Sequence, residues 1–381
     1  MKYVKIAVPD DFDTDVVSYK DENNKEKEAT VWSPKYKNVL DHGFVGLVDF
    51  MGDDKAIVNA ARVSYGTGTK KVNKDEGLIR YLMRHHHTTP SEMVTFKFHL
   101  KAPIFVFRQL IRHRTFSINE YSGRYSVMDS DTYIPKFDKM APQSTSNRQG
   151  RDDAALLNQN DYNLCTSVIN EVFDEAYQAY HFLLGPTENG TVPRAPESIQ
   201  RRIDWAKESA VRAALEARRR ALENERDDPY PSEESINALI DEYLNQAGVA
   251  DISEDFPGIT RELARTVLPV ATYSQMYWMG NLHNLLHFIR LRSDSHAQYE
   301  IREYSDTILE LIEPHVPWSI QAFKDYRMEG GSFSRVELSI LKDLYNTLPI
   351  ERKESIQQQL ADEGASQREI KEFIGRLSKN L

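Results

Sequence analysis

Residues 93–112, MVTFKFHLKAPIFVFRQLIR, indicate the fold of this chain more clearly than any other stretch. Apolar and polar residues alternate over Met93–Leu100, and this period of two predicts a strand with one buried face. Pro103 is suited to the first turn of a helix, so the pattern predicts that a helix follows at once. Arg108 and Arg112 lie four residues apart on that helix, which places both guanidinium groups on one side.

Helical patterns lie on both sides of this stretch. Apolar residues recur with the helical period in five segments, Asp53–Val63, Glu76–His85, Asp161–Leu184, Met279–Leu291 and Ser295–Ile312. In the fourth segment the predicted core face consists of Leu282, Leu285, Leu286 and Ile289. Residues 1–38 are polar and are predicted to be irregular, with a loop or hairpin over Lys20–Glu28.

The segment 185–257 differs in composition and predicts a helical insertion. Its first helix covers Glu197–Arg226, and its second covers Glu233–Gln246 between an N-cap at Ser232 and a terminating Gly248. Residues 331–381 predict a second polar appendage, a helical C-terminal extension. Neither segment carries a chemical motif.

Composition limits the functional classes. The 381 residues have a formal net charge of −10, which argues against a surface built to coat nucleic acid, because phosphate binding needs clustered Lys and Arg. The single cysteine, Cys165, excludes an intrachain disulfide and indicates a reducing compartment. No apolar run reaches the roughly 18 residues that span a bilayer, so we expect a cytoplasmic protein. The run His85–His87 has no Cys or carboxylate cluster to complete a metal site, and no metal is predicted.

Residue types that can bind a ligand are concentrated in residues 108–126, RQLIRHRTFSINEYSGRYS. Four arginines occur in this run, together with histidine, serine, asparagine, glutamate and glycine. Arginine forks bind phosphate bidentately, while hydroxyl groups and a bare glycine amide can complete an oxyanion cradle. On charge density alone, a surface helix and turn joined by salt bridges is an equal alternative. The spacing of the residues decides between the two.

The spacing Arg112-His113-Arg114-x-x-Ser117-x-Asn119-x-x-Ser122-x-Arg124 matches the RHR-x-x-S-x-N-x-x-S-x-R signature of the flavin-dependent thymidylate synthases at every specified position. The chain also resembles this family in the blocks 60–64, 101–106, 261–265 and 291–298. The resemblance covers 39–184 and 257–330. It implies a synthase domain over 39–330 interrupted by the insertion 185–257, with an N-terminal extension 1–38 and a C-terminal extension 331–381.

The resemblance implies a fold and a reaction. The fold is α+β, with a small, mainly antiparallel sheet flanked by helices. Members of the family are homotetramers with active sites between subunits. FAD carries electrons from NADPH, and methylenetetrahydrofolate supplies the methylene group that ends on C5 of dUMP, which becomes dTMP. The folate-only synthases instead attack dUMP through a cysteine in a Pro-Cys context, and the surroundings of Cys165, Asn163-Leu164-Cys165-Thr166, differ from that context.

By the same resemblance, eight residues hold dUMP, namely Gln109, Arg112, Glu120, Ser122, Gly123, Arg124, Arg265 and Arg292. Arg292 is the predicted catalytic residue, because the matching arginine of the family contacts the uracil and favours ionisation at N3. The alternative is a structural arginine near the N-terminus of the next helix, which is disfavoured because that end prefers anions. A nucleophilic role for Ser122 finds no partnered general base in the motif, so we assign this serine to substrate binding.

The resemblance places a second set of residues against FAD, namely His87, Thr89, Glu92, Arg112, His113, Arg114, Asn119, Glu120, Asn281, His283 and His287. Two of these positions vary in the family. Arginine often replaces His283, and position 287 is either His or Asn.

A protein of another class would use Arg108–Arg124 as a phosphate clamp for nucleic acid. Such a protein should be basic overall and should expose aromatic side chains that stack on bases. The net charge of −10 and the mixed Ser, Asn and Glu content of the run count against it. The colour of the purified protein separates the two hypotheses, since a protein with bound FAD is yellow and a clamp is colourless.

Overall fold

The computed structural model describes residues 15–20, 26–31, 35–63, 75–145, 150–152, 155–187, 191, 193, 195–223, 232–249 and 256–378. The chain divides into two compact units, Met1–Trp318 and Ser319–Leu381. The domain boundaries that the sequence suggests at 38/39 and 330/331 remain predictions.

The strands in the described residues are β1 Asp15–Lys20, β2 Glu26–Val31, β3 Lys35–Val39, β4 Gly43–Met51, β5 Thr95–Pro103, β6 Ser117–Glu120 and β7 Tyr273–Asn281. The α-helices are α1 Asp54–Val63, α2 Asp75–Arg84, α3 Ile104–Leu110, α4 Gln159–Leu184, α5 Glu197–Glu223, α6 Glu233–Ala247, α7 Arg261–Ala264, α8 Leu282–Arg292, α9 Tyr299–Ile312, α10 Pro317–Phe323, α11 Arg335–Thr347, α12 Ile350–Asp362 and α13 Gln367–Ser378. Short 3-10 helices cover Thr89–Met93, Phe137–Lys139 and Arg265–Val267, and a π-helix covers Lys324–Met328.

A five-stranded sheet in the order β3-β4-β5-β7-β6 forms the centre of the first unit, and all neighbouring strands are antiparallel. Alternate residues of a strand share one face, and on the inner face Phe96, Phe98 and Leu100 of β5 and Trp278 of β7 are fully buried. Helix α9 packs against β3 and β4, and α8 packs against β7. The predicted α+β class with a small antiparallel sheet is confirmed.

The strand β7 is the main difference from the sequence prediction, which placed a helix over Met279–Leu291. That prediction is wrong for its first three residues, because β7 continues to Asn281 and α8 begins at Leu282. The outward side of β7 carries Tyr277 and Met279, which are also apolar, so the strand shows no clear period of two. The boundary lies at Asn281, whose side chain accepts a hydrogen bond from the backbone N–H of Asn284 as an N-cap.

The beginning of the chain also differs from the prediction. Strands β1 and β2 pair as an antiparallel hairpin, and β3 begins at Lys35, so 1–38 is not irregular throughout. The connection between β1 and β2, residues 21–25, lies outside the described residues. The strand β6 was not predicted, because all four of its residues are exposed and carry no hydrophobic pattern.

The predicted insertion contains α5 and α6, which pack against each other. The predicted caps of α6 are confirmed: the Ser232 side chain accepts a hydrogen bond from the backbone N–H of Ser235, and Gly248 ends the helix in the left-handed region with φ 67°. Buried residues of α5 are the alanines Ala206, Ala210 and Ala214. Residues 224–226, the predicted end of the first helix, lie outside the described residues.

The remaining helix predictions agree with the structure to within a few residues, and the C-terminal extension is helical over α11, α12 and α13. In the part of the chain that the structure describes, no helix combines the length and the apolar character needed to cross a membrane.

Candidate active site

The helix α3 and the residues after it carry three arginines that line one cleft. Pro103 precedes the helix with φ −58°, and the helix ends at Leu110, so that residues 111–114 follow as turns. Arg108, Ile111, Arg112 and Arg114 line an open cleft of ≈ 470 Å³. Three guanidinium groups on one cleft make a site for an anionic ligand.

The side chains of Arg292 and His113 meet, although 179 residues separate them in the sequence. The Nε–H of Arg292 donates to Nε2 of His113 at 3.1 Å. Burial, followed by the charges of Arg292 and His287, lowers the pKa of His113 to about 4. The imidazole is therefore neutral near pH 7, as an acceptor must be, and the ring of Phe288 supports it edge-on at 5.0 Å between centroids.

The position of Arg292 corrects one step of the sequence argument. Arg292 is the last residue of α8, and the C-terminal end of a helix favours a cation. The structural alternative was rejected on the preference of an N-terminal end, which is not where this side chain lies. The hydrogen bond to His113 holds the Arg292 side chain against the RHR segment, and burial lowers the pKa of its guanidinium.

The turn Ser122-Gly123-Arg124 lies against the short helices that carry Arg265. A Cβ atom on Gly123 would lie 3.0 Å from Sδ of Met128 and 3.1 Å from Cδ of Arg265, so this close approach favours glycine. Ser122 Oγ accepts a hydrogen bond from the backbone N–H of Arg124 at 3.4 Å. Nε of Arg124 lies 3.6 Å from a carboxylate oxygen of Glu262.

Two further predicted dUMP residues, Glu120 and Gln109, have defined partners. Partial desolvation of the carboxylate raises the pKa of Glu120, although the residue as a whole is exposed, and this effect is opposed by a hydrogen bond with Ser274 and by the charges of Arg108 and Arg265. Gln109 Nε2 donates to Oε1 of Gln298 at 2.6 Å.

Some of the predicted flavin residues lie on α8 or next to it. The 3-10 helix Thr89–Met93 packs against α8, and this contact brings the loop containing His87, Thr89 and Glu92 to that helix. The backbone N–H of Leu282 donates to the carbonyl of Val94 at 2.8 Å, which fixes the beginning of α8 to this loop. His283 and His287 are four residues apart and share one face of α8.

Asn119 and Glu120 follow each other on β6, so their side chains point to opposite faces of the sheet. Asn119 pairs with Tyr277, and both belong to the outward face that also carries Asn281. Glu120 hydrogen-bonds with Ser274, whose side chain lies on the inner face. Both residues are predicted to contact ligands, and their side chains therefore lie on opposite faces of the sheet.

The described contacts join the predicted site residues in three groups. Arg292 contacts His113, whose ring centroid lies 6.3 Å from that of His287; the turn 122–124 contacts Arg265; and the 3-10 helix packs against α8. No role was predicted for Arg108, Glu262, Ser274 and Gln298, which contact or neighbour predicted site residues. Gln298 stands within a block that resembles the family, and this was the one signal that pointed to it.

The chain is similar to known proteins in sequence and in fold. Residues 46–318 match the model of the family described as thymidylate synthase complementing protein. The flavin-dependent thymidylate synthase of Rickettsia bellii is 40% identical over 309 residues, which cover 80% of this chain and 84% of the relative. The flavin-dependent thymidylate synthase of Ehrlichia ruminantium (strain Welgevonden) is 38% identical over 346 residues, or 91% of this chain and 89% of the relative. Among solved structures, the UMP/dUMP methylase PolB from Streptomyces cacaoi bound with 5-Br dUMP aligns with a TM-score of 0.51 and 25% identity, covering 77% of this chain and 99% of that one.

Proposed function

The chain belongs to the flavin-dependent thymidylate synthase family, and we propose that it methylates dUMP to dTMP with methylenetetrahydrofolate as carbon donor and NADPH as reductant. The observation that carries the proposal is the contact between Arg292 and His113. It brings the predicted catalytic arginine to the RHR segment of the signature, beside a cleft lined by Arg108, Arg112 and Arg114.

The nucleotide is held by charge and by short polar contacts. Arg112, Arg124 and Arg265 supply cations for the phosphate, and Ser122 and Gly123 supply a hydroxyl and an amide at close range. The close approach of Gly123 to Arg265 supports this arrangement, because it keeps the turn and the cation together. Gln109 and Glu120 contact the sugar and the base of dUMP.

Arg292 stabilises charge on the uracil ring. A guanidinium fixed by His113 lowers the cost of ionising N3, and the resulting anion makes C5 electron-rich toward the methylene carbon. Neutral His113 can only accept from Arg292, so it orients the guanidinium without competing for the negative charge. No bond between the enzyme and the nucleotide is required.

The residues around the first turn of α8 suit FAD. Imidazole, amide, hydroxyl, guanidinium and carboxylate groups match the polar edges of a flavin and its diphosphate. The proposed FAD contacts are His87, Thr89, Glu92, Arg112, His113, Arg114, Asn119, Glu120, Asn281, His283 and His287. When bound, FAD supplies the hydride that completes the methyl group. Asn281 holds the N-cap of α8 with its Oδ1, which leaves its amide N–H groups for the flavin.

The opposite orientations of Asn119 and Glu120 support a shared active site. If both residues contact ligands, one chain contributes to two sites on different faces of its sheet. This geometry is satisfied in a homotetramer with active sites between subunits, which we propose as the assembly.

The test is an anaerobic assay of FAD-loaded protein with NADPH, dUMP and methylenetetrahydrofolate, in which flavin absorbance and dTMP are followed together. Flavin reoxidation matched by dTMP formation is expected. A colourless protein, or flavin turnover without dTMP, would overturn the proposal.

A second substrate follows from the structural relative, whose name covers both UMP and dUMP. The same assay with UMP in place of dUMP distinguishes the two. The more similar relatives are named as thymidylate synthases, and we therefore expect kcat/KM to favour dUMP. Equal or better turnover of UMP would reassign the substrate.

A further inference from the structure

The connection between α8 and α9 is attached to the motif segment at both of its ends. Arg292, at the beginning of the connection, donates to His113, and Gln298, at its end, accepts a hydrogen bond from Nε2 of Gln109 at 2.6 Å. Gln109 and His113 lie four residues apart, on α3 and just after it. One loop therefore contacts two predicted ligand residues at once.

Gln298 has a fixed backbone, and its side chain is not used to cap the helix. It occupies the N-cap position of α9 with φ −58° and ψ 138°, and its side chain makes no capping hydrogen bond. The first turn of α9 is anchored, because Glu300 is buried and accepts a hydrogen bond from the Tyr133 hydroxyl at 2.9 Å. The backbone N–H of Arg302 donates to the Gln298 carbonyl at 3.2 Å, which ties the residue to that turn.

The hydrogen bond between the two glutamines determines which atom Gln109 presents to a ligand. The terminal torsion of a free glutamine is broad and roughly two-fold, so its amide nitrogen and carbonyl oxygen can exchange places. When Oε1 of Gln298 holds the nitrogen of Gln109, the carbonyl of Gln109 remains for a donor. A nucleotide offers such a donor in its sugar hydroxyl.

We propose that Gln298 is a positioning residue, which orients the amide of Gln109 so that its carbonyl accepts a hydrogen bond from the nucleotide substrate. The inference rests on the proposed binding of dUMP. It assigns Gln298 an effect on nucleotide affinity rather than on the chemical step, since Arg292 acts on the ring separately.

Binding of dUMP to FAD-loaded protein and steady-state kinetics test the proposal with three variants. Gln298→Ala should raise Kd and KM for dUMP about two- to tenfold, the range for one net hydrogen bond, with kcat little changed. Gln298→Glu retains an acceptor for the Gln109 amide and should restore affinity close to that of the wild type. Gln298→Lys presents only donors and should behave like the alanine variant.

A double-mutant cycle separates positioning from a structural role. Gln109→Ala and Gln298→Ala should not add, because both remove the same contact. The matched control is Gln200→Ala, which removes a side-chain amide hydrogen bond to Asp204 on α5 and should leave dUMP affinity unchanged.

Three results would overturn the proposal while leaving the function intact: normal dUMP affinity in Gln298→Ala, no rescue by Gln298→Glu, or additive effects of the two alanine substitutions. A fall in kcat and melting temperature in all Gln298 variants would show that the residue only supports the loop. If wild-type protein bound no dUMP, the proposed function itself would fail.

Discussion

The sheet region, formed by β5, β7 and α8, and the inserted hairpin, formed by α5 and α6, are held together in different ways. Each contains one tryptophan in the described residues. Trp278 of β7 is fully buried, whereas Trp205 of α5 is 51% exposed. Trp278 stacks on Phe116 at 3.8 Å between centroids and meets the edge of Phe288 at 5.0 Å. Trp205 meets Tyr243 at 5.9 Å.

The difference shows where the protein needs a fixed geometry. In the sheet region, large aromatic rings pack against one another next to residues that we propose to bind the ligands. Phe288 contacts both Trp278 and His113. In the hairpin, alanines pack between the helices and exposed pairs such as Arg212 and Glu208 lie on the surface, where ion pairs contribute little stability. The hairpin can therefore change without disturbing the site.

The largest effect should come from exchanging the two tryptophans for alanine. Trp278→Ala removes the ring that joins Phe116, Phe98 and Phe288, and we expect it to lower the free energy of unfolding by about 3–5 kcal/mol. Trp205→Ala should cost much less, because half of its surface already meets solvent. Urea unfolding of both variants measures the contrast. Similar losses would show that the hairpin is packed as firmly as the sheet.

The second effect concerns two arginines. Arg292→Ala removes the predicted charge stabilisation at the uracil and should lower kcat about 100- to 1000-fold, as the loss of one preorganised donor does, while FAD remains bound. Arg212→Ala, on the exposed face of α5, should leave kcat unchanged. The assay is dTMP formation together with the flavin spectrum. Wild-type turnover by the Arg292 variant would remove its catalytic assignment.

The sequence predicts an element of these two regions where a cap residue or a clear hydrophobic period marks that element, and it fails where no such signal exists. The helices and both caps of α6 follow from local signals, Ser232 and Gly248, and the strand β5 follows from its strict alternation. The strand β7 was missed, because the outward residues Tyr277 and Met279 are as apolar as the inward ones. The edge strand β6 was missed because none of its residues is buried.

The site could be predicted only as far as a motif resembled a family. Spacing identified the residues of the 112–124 segment, yet it could not show that Arg292 reaches His113 or that Gln298 reaches Gln109. These contacts depend on the packing of α9 against α3 and α8, which no local pattern encodes.

A third effect appears with pH and concerns His113, whose ring contacts Phe288 of the sheet region, whereas residues 197–249 contain no histidine. The pKa of His113 is lowered to about 4, so the unfolded chain takes up this proton first, near pH 6.5. As the pH falls from 6.5 to about 4, the contribution of His113 to the free energy of unfolding therefore decreases, and below about pH 4 this contribution is lost. His113→Gln should be less pH-dependent, which urea midpoints at pH 7.5 and 5 measure. Parallel pH profiles of variant and wild type would contradict the lowered pKa.

The smallest effect should come from two glycines that are needed for different reasons. A Cβ on Gly123 would press on Met128 and on Arg265, so Gly123→Ala should displace the Arg265 side chain by a few tenths of an ångström and weaken dUMP binding by about 1 kcal/mol, or about fivefold. Gly248→Ala places alanine at φ 67°, which should destabilise the end of α6 by a similar amount but leave dUMP affinity unchanged. Calorimetric titration of dUMP into both FAD-loaded variants compares them. If Gly248→Ala weakened dUMP binding as much as Gly123→Ala, the hairpin would be coupled to the site, and the contrast between the two regions would fail.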